Sequence, residues 1–251
     1  MSVRPTKKDE AWRYADFEAL SEDWPESAGR WREISVAAGE ERREILTLRP
    51  EDGLVSAVDR IRVTVGAGGR FEMFVLNARG RYGRVEIRAE LAEGAHFEFG
   101  GALVGGGKST NEFVMDVRHL EPNGTSNQTV RAVMADRATG SFLGKVYVER
   151  DAQKVDGSQS AKAILLDRTA TANLKPELEI FADDVKCAHG ATVGELDKRA
   201  LFYMASRGIP PEEAQRLILK SFVAEAFAAL DDDDAREALE AAALDTLESL
   251  Q

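Results

Sequence analysis

The chain has two regions that differ in the spacing of their apolar residues. From about residue 34 to residue 182, apolar and polar residues alternate in short runs, as they do in β-strands. The alternation is clearest at residues 84–91, where odd positions are apolar and even positions are charged. A strand of this kind buries one face and exposes the other. After residue 195, apolar residues recur every three or four positions, which is typical of helices.

Glycine-containing turns separate the predicted strands, and no helical stretch of useful length lies between them. This pattern disfavours a doubly wound α/β sheet. Its spacing fits a sandwich, a barrel or a β-solenoid, and periodicity alone leaves these three open. We therefore predict a mainly β protein with a C-terminal helical region. Its parts are a short, partly helical N-terminal segment (1–33), a β core (34–194) and a helical domain (195–251).

Helical periodicity and helix-ending residues locate four predicted helices. Gly208 suits the left-handed position that ends a helix, and Pro210 and Pro211 suit the first turn of the next. Because the C-terminal helices have few neighbours of their own, we expect part of their apolar face to dock a partner helix or groove. The predicted helices span residues 11–20, 196–207, 212–230 and 235–250.

Composition indicates a soluble globular protein, with 43% hydrophobic and 31% charged residues among 251. No run approaches the roughly 20 apolar residues that span a bilayer, and the N-terminus lacks the apolar core of a signal peptide. We therefore expect a cytoplasmic protein that does not enter a membrane. The net charge of −11 argues against non-specific nucleic-acid binding, which depends on Lys and Arg neutralising phosphates.

Cys187 is the only cysteine. An intrachain disulfide is therefore impossible, which fits a reducing compartment. A zinc or iron–sulfur site built from several cysteines of this chain is excluded as well. A metal held through Cys187 would need His, Asp or Glu ligands, or ligands from a second chain.

Cys187 and His189 form the main candidate site, at the point where the period changes. Residues i and i+2 of an extended segment face the same side, so thiol and imidazole would meet a metal or an incoming chain together. Both ligate zinc and iron–sulfur clusters, and Asp183, Asp184 and Glu195 could add oxygen ligands. An imidazolium nearby would lower the pKa of the thiol. A nucleophilic Cys–His enzyme and a merely buried cysteine both remain open.

A relaxed nucleotide-binding pattern occurs at residues 102–109, which read ALVGGGKS and include Lys108. Phosphate binding by such a loop requires a helix directly after it. Residues 111–120 instead alternate as a strand does. A flexible glycine turn is therefore favoured, and nucleotide binding through Lys108 is the alternative. His96 and His119 stand alone among strands, and we expect structural roles for them.

The segment at residues 175–208 resembles the SufB/SufD family of iron–sulfur cluster assembly proteins. The resemblance is densest at residues 182–194, which read ADDVKCAHGATVG. The Cys-x-His-Gly-Ala-Thr-Val-Gly form is similar to that of the SufD branch. Residues 10–14, EAWRY, are similar to a segment near the start of SufD proteins, but strands begin here by about residue 34, earlier than in many of them.

The resemblance implies a right-handed parallel β-helix core followed by an α-helical domain. It also implies a non-catalytic scaffold subunit that pairs with SufB through its β-helix. The SufC ATPase would bind to the C-terminal helices, and a transient iron–sulfur cluster would be built in the complex. No cofactor is expected to be bound tightly by the isolated chain, which could form a homodimer through an exposed edge strand.

The resemblance also implies roles for particular residues. His189 matches a histidine implicated in cluster assembly at the SufB–SufD interface, and Cys187 lies beside that site with a less settled role. The alternative is a stand-alone Cys–His metalloprotein or thiol enzyme on a β-solenoid. Candidate SufC-docking residues are Leu201, Tyr203, Arg207, Leu217, Ile218 and Phe222.

Overall fold

A computed structural model describes residues 5–50 and 54–249, and its strands coil into a parallel β-helix. Most of the strands are ten residues long. They are β1 (Arg32–Val36), β2 (Glu41–Leu48), β3 (Ser56–Val65), β4 (Arg70–Asn77), β5 (Tyr82–Leu91), β6 (His96–Gly105), β7 (Thr110–His119), β8 (Thr125–Met134), β9 (Thr139–Val148), β10 (Asp156–Leu165), β11 (Thr171–Ile180) and β12 (Lys186–Gly194).

Odd-numbered strands form one six-stranded sheet, in the order β1-β3-β5-β7-β9-β11, and even-numbered strands form the other. Neighbours within each sheet pair in parallel and in register, so that Ile61 lies beside Ile87, and Ile87 beside Met115. Successive strands of the chain alternate between the sheets, and each coil therefore adds one strand to both. The predicted β-helix with C-terminal helices is confirmed, and the sandwich and barrel are excluded.

The core lies between the two sheets, where the inward-facing side chains of successive coils stack on one another. Phenylalanines dominate its middle, with the rings of Phe99 and Phe113 packed edge to face at 5.2 Å between centroids. Fully burying an aromatic or aliphatic side chain of this size stabilises the fold by about 1.5–3 kcal/mol. This apolar stack holds the two sheets together along most of the β-helix.

One corner of each coil turns through a residue with positive φ, and these residues stack from coil to coil. Gly68 has φ of 64° and donates its backbone N–H to Glu93, while Gly94 in the next coil donates to Pro122. Asn123 and Lys154 continue the series with φ of 64° and 60°. The glycines adopt this conformation without steric cost, which explains their regular occurrence between strands.

The N-terminal segment packs on the outer face of the first sheet. It contains a 3₁₀ turn, Glu10–Trp12, and the helix α1 (Phe17–Glu22), so the continuous helix predicted over 11–20 is wrong. The side chain of Asp16 accepts hydrogen bonds from the backbone N–H groups of Glu18 and Ala19 and starts α1 only there.

A buried charged cluster lies beneath this segment. Arg84 is fully buried and forms ion pairs with Glu112 at 2.9 Å and Glu86 at 3.1 Å. The hydroxyl of Tyr82 donates to Glu112 at 2.5 Å, and burial raises the pKa of Tyr82. Such a cluster is stable only while its partners are satisfied and water is excluded. The N-terminal segment provides that cover.

Three helices follow the last strand: α2 (Lys198–Ser206), α3 (Pro211–Ala224) and α4 (Asp233–Glu248). Asp197 and Asp232 cap α2 and α4 through backbone N–H groups. Residue 250, the predicted end of the last helix, lies outside the described residues. Among the described residues, no helix is both long enough and apolar enough to cross a membrane.

Helices α3 and α4 cover the outer face of the second sheet. Leu219, Val223 and Phe227 pack with Phe74, while Leu239 and Leu247 belong to the same buried cluster. The expectation that these helices have few neighbours of their own is therefore wrong for α3 and α4. Helix α2 differs from α3 and α4. The structure describes all of its residues, and none of them is buried.

Candidate functional site

The last strand, β12, forms an open end of the β-helix. It pairs in parallel with β10, and within the described residues no strand lies on its other edge. The register places Cys187 beside Gly157 and His189 beside Gln159. Cys187 packs against the core, so residues of the same parity in β12 point to the inner side of the coil. The thiol and the imidazole therefore share the inner side of the last coil, at the end where no further coil is stacked among the described residues.

Cys187 is half-buried at the edge of a small apolar cluster that includes Val146 and Val155. The thiol lies over Gly157, where a Cβ would make only an ordinary van der Waals contact with the sulfur at 3.5 Å. Burial raises the pKa of Cys187, although a hydrogen bond from the backbone of Gly157 acts in the opposite direction. The expectation that a neighbouring imidazolium lowers this pKa is wrong, because loss of hydration dominates. A thiol of this kind is not poised as a nucleophile.

His189 is exposed at the open end, two residues further along β12. Ala191 and Val193 follow it on the same side, and Val193 is 49% exposed. The inner side of β12 therefore presents small and apolar side chains and one imidazole. These side chains resemble a hydrophobic core that is left uncovered where the last coil ends.

The additional ligands considered from the sequence do not join this pair. The backbone of Asp184 is held in the preceding corner by Lys154 and Gln153, and Glu195 lies 3.5 Å from Lys198. In the part of the chain that the structure describes, no group of three or more His, Cys, Asp or Glu side chains could hold a metal. A complete metal site on this chain alone has no support in these residues.

Polar side chains lie inside the coil below the open end. Gln159 donates from Nε2 to Oε1 of Gln128 at 2.9 Å, and both residues are buried. Nearby, the ring Nε2 of His119 lies 2.9 Å from Oγ of Ser126. Burial lowers the pKa of His119 from 6.5 to about 4, so it is neutral at physiological pH. Sequence reasoning missed Gln159 and Gln128, although both occupy inward positions of strands where apolar residues are expected.

The candidate docking residues lie on two adjacent helices. On α2, Tyr203 is 60% exposed and Leu201 is partly buried. The guanidinium of Arg207, the C-cap residue of α2, lies 5.2 Å from the centroid of the Tyr203 ring. On α3, Leu217 is 40% exposed, Ile218 is partly buried, and Phe222 packs partly against the second sheet. Phe202, which is not among the predicted docking residues, is 77% exposed.

The segment that contains Lys108 is a corner of the β-helix. Gly107 adopts a positive φ of 61°, and strand β7 begins at Thr110 instead of a helix. A phosphate-binding loop uses the N–H groups at a helix N-terminus, which this segment does not provide. The glycine-turn interpretation is confirmed for this segment.

A parallel β-helix that ends on an exposed Cys-x-His strand and continues into packed helices defines the class of protein. The family model for the SUF system FeS cluster assembly, SufBD core domain, matches residues 33–222. The chain therefore belongs to the SufB/SufD family, and the resemblance drawn from residues 175–208 is confirmed.

The curated relatives include several proteins named SufD. The Escherichia coli iron–sulfur cluster assembly protein SufD is 40% identical over 112 residues, which cover 45% of this chain and 26% of that protein. The Bacillus subtilis protein of the same name is 29% identical over 208 residues, covering 72% of this chain and 48% of that one. The Arabidopsis thaliana protein ABCI7, chloroplastic, is 42% identical over 105 residues, covering 41% of this chain and 22% of that protein. The chain thus spans between about a quarter and a half of these relatives. It is a SufD-like member of the family.

Proposed function

We propose that this chain is a scaffold subunit for iron–sulfur cluster assembly. It would pair with a SufB-like protein through the open end of its β-helix and bind a SufC-like ATPase through its C-terminal helices. The observation that carries the proposal is the position of His189 on a terminal strand whose outer edge is unpaired among the described residues. Cluster iron and sulfide would be cargo of the complex, and ATP hydrolysis would belong to the partner.

The chemistry of the two end strands of the second sheet supports pairing through β12. At the opposite end, β2 carries the charged sequence Glu41–Arg42–Arg43–Glu44, and Arg43 forms an ion pair with Glu72 at 2.6 Å. Charged side chains on an edge strand discourage pairing with another chain. Strand β12 has no charged residue after Lys186 and reads CAHGATVG from position 187. It is therefore the end of this sheet that is suited to accept a partner strand.

A shared site follows from pairing at this edge. Cys187 and His189 cannot complete the coordination of a cluster or a metal ion by themselves. A partner strand laid along β12 would bring its own side chains within about 5 Å of theirs. The exposed imidazole is the stronger candidate ligand, because burial keeps Cys187 protonated. The isolated chain is expected to pair through the same edge with a second copy.

The docking surface for the ATPase is proposed on α2 and its neighbour α3. Phe202, Tyr203 and Leu217 expose apolar surface there, while the opposite face of α3 packs on the β-helix. Aromatic residues at the centre of an exposed patch commonly carry much of the binding energy of an interface. The surface lies on helices and uses none of the residues of β12, so we propose that the two partners bind to different elements of the chain.

Co-expression with SufB-like and SufC-like chains tests the proposal. The backbone N–H of Lys186 donates to Val155 on the β10 side, so the N–H of Ala191, of opposite parity, points to the open edge. Ala191→Pro removes this outward donor and leaves pairing with β10 intact. We expect it to abolish copurification of the SufB-like chain while SufC-like binding persists. Failure of the unmodified chain to copurify with either partner would contradict the proposal.

A further inference from the structure

Three residues occupy one position on three successive strands of the second sheet. Gln128 on β8 is in register with Gln159 on β10, and Gln159 is in register with His189 on β12. In-register neighbours on adjacent parallel strands are about 4.8 Å apart and point to the same side. The two amides and the imidazole therefore form a column that runs from inside the coil to its open end.

The orientation of the Gln159 amide is set by the residue below it. Its Nε2 donates to Oε1 of Gln128 at 2.9 Å, so the nitrogen side of the amide faces β8. The oxygen and nitrogen of an amide point to opposite sides, so Oε1 of Gln159 faces β12. Gly144 across the coil makes room for this arrangement, because a Cβ there would lie 2.7 Å from Nε2 of Gln159.

Oε1 of Gln159 is buried and has no hydrogen-bond partner among the described residues. Only 3% of the residue is exposed. Buried polar atoms are nearly always paired in native proteins, so the unpaired Oε1 of Gln159 calls for a donor, as the unpaired Nε2 of Gln128 below it calls for an acceptor. The next residue in register on the β12 side is His189.

We infer that Gln159 is a positioning residue for His189. The two side chains are not bonded as they stand in the structure. A turn of the exposed His189 side chain would bring one ring N–H of the neutral imidazole, which has one N–H and one bare nitrogen, to Oε1 as the donor. The bare nitrogen then faces the open end, where a partner or cluster iron would approach. Histidines that bind metals commonly donate their other ring N–H to a fixed acceptor, which sets the tautomer and the ring orientation. The role of this hydrogen bond in cluster assembly rests on the proposed function, whereas the hydrogen bond itself does not depend on it.

The tautomer of His189 tests the hydrogen bond directly. The chain has three histidines, so ¹⁵N-histidine labelling gives few signals, and His96→Gln, His119→Gln and His189→Gln variants assign them. At a pH where the imidazoles are neutral, the two ¹⁵N shifts report which nitrogen carries the proton. We expect one tautomer of His189 to dominate in the folded chain. In Gln159→Met the tautomer ratio should move about fivefold toward that of the urea-unfolded chain, the effect of losing one ordinary hydrogen bond.

Gln128→Met is the matched control. Both variants lose the hydrogen bond between Gln159 and Gln128, but only Gln159→Met loses the acceptor that faces His189. The control keeps the acceptor but loses the bond that orients it, so its tautomer ratio should move clearly less than that of Gln159→Met. An unchanged ratio in Gln159→Met would overturn the inference, as would an equal change in both variants or a folded wild-type ratio equal to that of the unfolded chain.

A second measurement connects the hydrogen bond to the proposed site. In a complex reconstituted with the SufB-like and SufC-like partners, Gln159→Met should slow cluster formation by about tenfold or more, and Gln128→Met should slow it much less. A tautomer shift with no change in cluster formation would remove the positioning role from cluster assembly. If His189→Ala also forms clusters normally, the proposed function of His189 fails, while the tautomer result still decides the hydrogen bond.

Discussion

The guanidinium of Arg84 lies 4.0 Å from the centroid of the Trp12 ring, and Arg84 Nη1 donates to the backbone oxygen of Ala11 at 2.7 Å. The N-terminal segment therefore closes over a charge that is completely buried in the outer face of the first sheet. A cation over a tryptophan face is stabilised by the ring quadrupole, and more strongly where water is excluded.

Trp12→Ala should release this segment. The substitution removes the ring that covers Arg84, and truncating a buried tryptophan costs about 3–5 kcal/mol. We expect trypsin to cleave after Arg13 much faster in the variant. Trp31→Ala is the control, because Trp31 is only partly buried and stacks on Arg60 without covering Arg84. Equal cleavage rates in the two variants would contradict the role given to Trp12.

The thiol of Cys187 should react slowly at neutral pH. Burial raises its pKa, so the reactive thiolate forms at a higher pH than in an ordinary cysteine. The rate of iodoacetamide labelling against pH measures this. We expect the midpoint for the folded chain to lie above the midpoint for the urea-unfolded chain. A midpoint below it would restore the thiol-enzyme interpretation.

Buried His119 should make the fold sensitive to acid. Its pKa is about 4 in the folded chain against 6.5 ordinarily. As the pH falls from 6.5 toward 4, the unfolded chain therefore binds a proton that the folded chain does not, and stability decreases. The full effect is about 3 kcal/mol, at about 1.4 kcal/mol per pKa unit. Urea unfolding at a series of pH values should show a shallower loss in His119→Asn; an equal slope would show that His119 is not the group responsible.

The exposed aromatic surface of α2 should bind the ATPase partner. Phe202→Asp places a charge at the most exposed of its apolar side chains, and we expect at least about a tenfold weaker affinity for a SufC-like protein. Binding of the SufB-like chain should not change, in contrast to Ala191→Pro. Phe181→Asp is the control, since Phe181 is 50% exposed but packs against Tyr147, with 5.5 Å between ring centroids, at a corner of the β-helix. Calorimetry that finds equal affinities for both variants would rule out this docking surface.

Alternation predicted the strand and its inner face well at Val85, Ile87 and Ala89 of β5. The expectation that the other face is exposed is wrong at Arg84 and Glu86, which are buried beneath the N-terminal segment. Alternation did not predict which outer face the helices cover. Strand β4 is buried on both sides, because Phe74 and Leu76 face the helices while Phe71 and Met73 face the core. Its nearly continuous apolar run, FEMFVL, was the available signal, since strands buried on both faces lose their alternation.

The candidate site was predictable only in part. The spacing of Cys187 and His189 is local, and strand geometry alone places both on one side. Gln159 is placed beside His189 by the pairing of two coils, and the two residues are 30 positions apart in the sequence. No local sequence pattern predicts that register. The pKa of Cys187 also depends on burial by Val146 and Val155, residues remote in sequence. Contacts between coils therefore determine the position of Gln159 and the pKa of Cys187, and such contacts cannot be predicted from local sequence patterns.

The iron and sulfide content of the assembled complex tests the central claim, that His189 supplies part of a shared cluster site. The complex is purified anaerobically after co-expression of SufB-like and SufC-like partners with the wild-type chain, His189→Ala or His96→Ala. His96 is the control because its ring bonds Thr125 on β8, away from β12. We predict that all three complexes assemble and that His189→Ala alone loses most of its iron and sulfide. A normal cluster content in assembled His189→Ala would contradict the account.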